Sequence, residues 1–204
     1  DADCFALSEA VDGAGEAGRV VFGIILGTGC GGGLVVNRQL IVGPNAITGE
    51  WGHNPLPGYD PALDGPSQPC YCGRDNCIER FVSGTGFAGR FVERHGRGLS
   101  PIGIITAAAE GDVEAEAHYD HFIQALARSV ASLINVLDPD VIVLGGGLSN
   151  IDRLYLDLPQ ALTPYLFSDR CITPMVPARY GDSSGVRGAA WLPSCVEGAT
   201  TWAI

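Results

Sequence analysis

Apolar residues change their period several times along the 204-residue chain, and each change marks an element. At the start, Cys4, Leu7 and Val11 share one helical face, which predicts a helix capped by Asp1 or Asp3 and ended by Asp12-Gly13-Ala14-Gly15. Arg19 to Leu26 is a β-branched apolar run of strand length, and a second strand, Leu34 to Asn37, turns at Arg38 into Gln39 to Val42. Residues 44–69 carry Gly, Pro and Asp throughout and read as loop. Helical spacing returns at 78–82, 84–95 and 101–109. The longest stripe follows, with Ile123, Leu126, Ala127, Val130, Ile134 and Leu137 on one face of a helix that Asp138-Pro139 stops. Asp140 to Leu144 is a continuous apolar strand, Gly145 to Gly147 a tight turn, Ile151 to Phe167 a helix and Ile172 to Pro177 a last strand. Gly181-Asp182-Ser183-Ser184-Gly185 opens a terminal helix over 186–192. Striped helices alternating with apolar strands imply an α/β domain.

Composition narrows this picture. With 46% hydrophobic and 17% charged residues the chain can bury a core as one globular unit. A formal net charge of -11, with twelve scattered Lys and Arg residues, argues against nucleic acid as a partner. No apolar stretch approaches the roughly 20 residues that span a bilayer, and no leader opens the chain, so it reads as free of membrane and cytoplasmic. Of the seven cysteines, Cys70, Cys72 and Cys77 are too close-set for a secreted disulfide framework, and Cys4, Cys30, Cys171 and Cys195 stand alone. A reducing compartment is expected.

Those three cysteines carry the strongest chemical signal. Cys-x-Cys with a third cysteine five residues on, and His53 in the preceding glycine-rich loop, supply four soft ligands for a closed tetrahedral zinc shell. Such a shell leaves no open position to activate water, so the metal is expected to be structural. Buried thiols are the alternative, but a Gly- and Pro-rich loop offers no apolar core for them. Glu50 and Glu79 bracket the ligands and could each accept hydrogen bonds from paired hydroxyls of a polyol, although a lone glutamate is ordinarily a solvated charge.

Gly27-Thr28-Gly29-Cys30-Gly31-Gly32-Gly33 follows a strand and could aim backbone N–H groups and a threonine hydroxyl at phosphate oxygens. It equally suits a glycine-rich hairpin connection. It is neither a Walker loop nor a Rossmann fingerprint, because no Gly-Lys-Ser/Thr follows and a strand comes next. Gly145 to Gly147 suits a ligand at the carboxyl end of a sheet, or close helix packing. Asp1 reads as a helix cap, and as a group able to accept a proton from an attacking hydroxyl.

Taken together, Asp1-Ala2-Asp3-Cys4-Phe5-Ala6-Leu7, Gly27-Thr28-Gly29-x-Gly31-Gly32-Gly33, Gly49-Glu50-Trp51-Gly52-His53, Cys70-x-Cys72-Gly73-x-x-x-Cys77-Ile78-Glu79 and Leu144-Gly145-Gly146-Gly147 resemble the ROK family of sugar kinases and repressors. The match runs in order over nearly the whole chain. The resemblance implies an actin-like, ribonuclease-H-like ATPase fold with a mixed sheet, flanking helices and an inserted zinc-binding loop at 44–80. It makes Asp1 the catalytic base toward the sugar hydroxyl, and Glu50, His53, Glu79 and Asn45 the sugar-contacting residues, with His53 shared with zinc. Thr28, Gly29, Gly31, Gly32 and Gly33 match a phosphate loop, and Gly145, Gly146 and Gly147 an adenosine-side turn. The implied ligands are a hexose, ATP, Mg2+ and structural Zn2+, and the implied assembly is a homodimer.

Within the family, 51–57 and 181–191 look most like fructokinases of the manno(fructo)kinase type, which implies transfer to the 6-hydroxyl of fructose and possible use of mannose. N-acetylglucosamine kinase and glucokinase are the near alternatives, a sugar-responsive repressor with an upstream helix-turn-helix is another, and a ligand-free zinc module a third. Three departures accompany the match. The family's Asp-x-Gly-Gly-Thr phosphate loop and the asparagine before the catalytic aspartate are not in this chain, so residues 1–192 read as a carboxyl-terminal lobe that is not expected to turn over alone. Asp3 stands where asparagine is common, and Asn76 where glycine is common. The tail, 193–204, follows no family pattern and reads as disordered.

Overall fold

The computed structural model describes residues 1–196, and its layering follows from side-chain alternation in two central strands. In β1 (Val20–Leu26), Phe22, Ile24 and Leu26 join one hydrophobic cluster and Val21 the other. In β4 (Val141–Gly145), Ile142 and Leu144 join the first cluster, Val141 and Val143 the second. Strands apolar on both faces must be covered on both. β2 (Cys30–Val36) and β3 (Gln39–Leu40) add antiparallel neighbours on one side, β5 (Met175–Pro177) a parallel one on the other, giving the mixed order β3-β2-β1-β4-β5.

The helix α1 (Ala2–Asp12) opens the chain on one face. On the other, after the short helices α2 (Pro61–Asp64) and α3 (Glu79–Val82), come α4 (Gly84–His95), α5 (Pro101–Ala109), α6 (Val113–Leu137) and α7 (Leu154–Leu162). Ser184–Val196 forms α8, which returns to pack on α1. In α6, Asp112 caps the first turn by accepting from the Glu114 and Ala115 amides at 3.0 and 3.1 Å. Asp138, at φ +44°, ends it just before Pro139. α1 and α8 cross so closely that a Cβ on Gly188 would lie 1.6 Å from the Cys4 carbonyl oxygen.

A buried carboxylate joins the same two helices. Glu9, at 0% exposure, accepts from Ala14 N–H (2.8 Å), Arg179 N–H (3.0 Å), Tyr180 N–H (3.3 Å) and the Ser184 hydroxyl (2.7 Å). These donors fill the roughly four acceptor sites of a carboxylate. The end of α1 is thereby fixed to the turn that starts α8.

Several expected boundaries move. β2 begins at Cys30, ahead of Leu34, because Gly31, Gly32 and Gly33 pair with Ile25, Ile24 and Gly23 as ladder residues. β3 stops at Leu40, and β5 starts at Met175. α7 begins at Leu154 and ends at Leu162, where the chain tightens into a short turn at Thr163–Tyr165 that places Pro164 at its start. α8 starts at Ser184 and carries Pro193 to Val196 as helix, against the expected tail; residues 197–204 lie outside the described residues. Among the described residues no helix is long and apolar enough to cross a membrane.

Replacing Glu9 by Gln turns one acceptor oxygen into an amide that faces donors. A loss of about 2–3 kcal/mol is expected, read as a lower urea midpoint with unchanged slope.

Candidate active site and metal centre

The segment between β3 and α3 is held by two isolated antiparallel contacts, Pro55 with Cys77 and Pro69 with Asp75. Inside them the chain forms a knuckle: Cys70 N–H donates to the Arg74 carbonyl at 2.8 Å, and Gly73 N–H to that of Cys70 at 3.0 Å. Asn76 sits at φ +57°, and its side-chain oxygen accepts from Gln68 N–H at 2.8 Å. Asparagine tolerates that left-handed backbone better than most other side chains, which suits it to this position. At the far end, the nearly buried Asp64 of α2 pairs with Arg128 of α6, which also donates to the Gly58 carbonyl at 2.9 Å.

His53 closes the cluster from the turn Trp51–His53, anchored by buried Trp51. A ring nitrogen of His53 and the sulfurs of Cys70, Cys72 and Cys77 all lie within 4.8 Å of one another. Nδ1 is 3.5 Å from Cys70 Sγ, and Cys72 Sγ is 3.5 Å from Cys77 Sγ. Metal–ligand bonds of about 2.0–2.3 Å in a tetrahedron put neighbouring donors about 3.3–3.8 Å apart, so the donor set fits zinc in both chemistry and size.

Electrostatics points the same way. A hydrogen bond from the Arg74 amide, with help from the neighbouring sulfurs, lowers the Cys72 thiol to about 7. Burial, and then the other two sulfurs, push Cys77 up to about 12. Three crowded thiols cannot all ionise without a cation between them, and a divalent metal supplies that charge.

The other candidates gather around the start of β2. Glu79, the first residue of α3, accepts from Cys30 N–H at 2.9 Å, and a Cβ on Gly29 would lie 2.7 Å from the same carboxylate oxygen. Burial and the Glu79 charge together raise the Cys30 thiol. The segment carrying Glu50 and His53 lies directly on the strand: a Cβ on Gly49 would meet the Gly32 carbonyl at 2.2 Å, and one on Gly52 the Cys30 carbonyl at 2.1 Å. From the opposite face, Ala2 of α1 lies over Gly31, where an added Cβ would meet its methyl at 3.3 Å.

Asp1 precedes the Ala2 that lies over Gly31. It occupies the N-cap position of α1, but its exposed carboxylate makes no capping hydrogen bond. The cap reading holds for the backbone, whereas the side chain is left for other partners. Burial raises the Asp3 carboxyl, and the charge of Glu50 adds to that rise. Glu50 and His53 also open on a cleft of about 840 Å³, whose opposite wall is the apolar Leu133 and Val136 of α6. Asn45 lies on an exposed turn closed by Gly43 N–H to the Thr48 hydroxyl at 3.1 Å, outside the contacts that gather the other residues.

The two glycine turns do meet. Gly27, Thr28, Gly146 and Gly147 line one cleft of about 600 Å³ together with Gly84 and Thr85. Gly146, at φ +82°, lies so close to the first turn that a Cβ would come 2.6 Å from the Leu26 carbonyl carbon. Gly84 N–H donates to the Gly27 carbonyl at 2.7 Å, and the Thr85 hydroxyl to that of Thr28 at 2.6 Å. The start of α4, with Ser83 capping Gly86 N–H at 3.0 Å, thus braces the turn. Helical spacing over 84–95 marks the helix but not the turn that its start faces. Gly31, Gly32 and Gly33 are strand residues beyond the turn; bare Gly31 and Gly33 let α1 lie close, while Gly49 and Gly52 let the 49–53 segment approach the strand's carbonyls.

Residues 1–195 match the ROK family. The chain belongs to that family. An N-acetyl-D-glucosamine kinase of Yersinia pseudotuberculosis serotype O:1b (strain IP 31758) is 45% identical over 195 residues, 94% of this chain and 64% of that protein. The chain thus spans just under two thirds of this relative's length. Among solved ROK structures, a hexokinase from Thermus thermophilus superposes with a TM-score of 0.83 at 28% identity, covering 97% of this chain and 65% of that one. A glucokinase from Streptomyces griseus, in complex with glucose and AMPPNP, gives 0.79 at 25% identity, covering 94% and 65%. The α/β, actin-like fold expected of a ROK chain is the fold observed. The fructokinase likeness expected from 51–57 and 181–191 finds no support, since relatives at 42–45% identity are N-acetyl-D-glucosamine kinases.

One zinc per chain is expected by elemental analysis. Cys77→Ser, which removes a fully buried ligand, should drop zinc to well below one equivalent and expose the 44–80 segment to protease.

Proposed function

We propose that this ROK chain belongs to an ATP-dependent sugar kinase acting on N-acetyl-D-glucosamine, with transfer to the primary 6-hydroxyl. The observation that carries the reading is the gathering of Glu50, His53 and Glu79 against the start of β2, with Ala2, the neighbour of Asp1, over Gly31, and a cleft lined by both glycine turns. The 45% identity to N-acetyl-D-glucosamine kinases favours the acetylated sugar over fructose. Glucose remains the second reading, because the S. griseus relative was solved with glucose. The kinase relatives and the uncapped Asp1 carboxylate favour an enzyme over a repressor.

In this reading Glu50 and Glu79 accept hydrogen bonds from sugar hydroxyls, and His53 donates from the ring nitrogen that faces away from the sulfurs. His53, Cys70, Cys72 and Cys77 hold zinc, which sets the direction of that imidazole without taking part in the reaction. Asp1 takes the proton of the 6-hydroxyl as its oxygen bonds to the γ-phosphorus and the bond from phosphorus to the ADP oxygen breaks. In this reading Thr28 supplies the donor to phosphate oxygens from the cleft wall, and Gly146 and Gly147 border the nucleoside. Mg2+, bound with the nucleotide, would neutralise charge developing on the phosphates.

Asp1→Ala in the complete protein should lower kcat at least about a thousandfold while leaving sugar affinity within about threefold, measured by coupled assay and calorimetry. Turnover near wild type would place the base elsewhere. Across N-acetylglucosamine, glucose, mannose and fructose, the first should give the highest kcat/KM.

A further inference from the structure

We infer that Tyr71 gates the sugar site, its phenol oxygen occupying the His53 donor in the absence of sugar and giving way to a sugar hydroxyl on binding. The inference rests on the sugar-site reading given above. Tyr71 lies between two of the cysteine ligands, so its backbone is pinned by the knuckle, yet its side chain is 83% exposed. Its phenol oxygen nonetheless has a side-chain partner. The partner here is His53, whose Nε2 lies 2.8 Å from the tyrosine oxygen, with the two rings edge-on at 5.0 Å and 88°.

The tautomer decides the direction of that bond. His53 Nδ1 faces the Cys70 sulfur at 3.5 Å, so it presents its lone pair to the metal position and the ring proton sits on Nε2. Nε2–H therefore donates, and the phenol oxygen accepts, as an alcohol would. One N–H cannot serve Tyr71 and a sugar hydroxyl at full strength together. With so little buried contact the ring is free to swing aside, on the fast timescale of exposed side chains.

Exchange of one neutral hydrogen bond for another gains little by itself, so the closed position of Tyr71 lowers the fraction of protein ready to bind and weakens apparent affinity by that fraction. Tyr71→Phe keeps the ring but removes the accepting oxygen. In the complete, zinc-loaded protein, titration with N-acetylglucosamine should show Kd tightened by about three- to tenfold. KM should fall with it, kcat should stay within about twofold, and zinc content should not change. Tyr71→Ala should show the same gain. An unchanged or weakened Kd in Tyr71→Phe, with wild-type binding normal, overturns the gate alone; a wild-type protein that binds none of N-acetylglucosamine, glucose, mannose or fructose overturns the sugar-site reading with it.

Discussion

Three sulfurs and an imidazole nitrogen packed within 4.8 Å of one another are the constraint on which the site depends. Without a cation the cluster is internally opposed, with one thiol drawn down toward neutral pH and another driven far above it. With one, the four donors become a single rigid junction between segments that otherwise have few backbone ties. Structural zinc contributes roughly 10–16 kcal/mol in small peptides, similar to the ~5–15 kcal/mol of a whole domain, so one ion can order a loop of this size. Glu79 lies two residues beyond Cys77 and Glu50 three before His53, and the junction fixes both.

The sheet supplies the surface against which this junction is set. Glycines at 31 and 33 let α1 lie on strand β2, and glycines at 49 and 52 let the 49–53 segment reach the strand's carbonyls. Asp1 precedes the first of these, Glu50 and His53 come from the second, and Glu79 reaches the strand from α3. The buried Glu9, filled with donors from α8 and the turn before it, keeps α1 from sliding along the strand. Packing of small residues thus brings remote stretches of sequence together.

The parts of this arrangement legible in the sequence are those encoded locally. The apolar strand runs at 19–26 and 140–144 and the α6 stripe with its Asp138-Pro139 stop depend on residues near each other in sequence and match the observed elements, and the close-set cysteines are brought together with His53. Glycine runs misled, because Gly31 to Gly33 look like a turn while hydrogen bonding to β1 makes them strand. Non-local partners were hidden: the ties of Glu9 to Arg179 and Tyr180, of Thr85 to Thr28 and of Tyr71 to His53 depend on how the fold closes. Choice of sugar was hidden for a similar reason, since a pocket is selective through a few contacts that motif resemblance does not register.

The metal junction is proposed to orient Glu50, His53 and Glu79 for the sugar. Calorimetric titration of N-acetylglucosamine into the complete protein before and after zinc is stripped tests it most directly, with circular dichroism confirming that the sheet and helices remain. The account predicts that sugar binding disappears on stripping and returns with one equivalent of zinc. Unchanged affinity in the stripped, folded protein would contradict it.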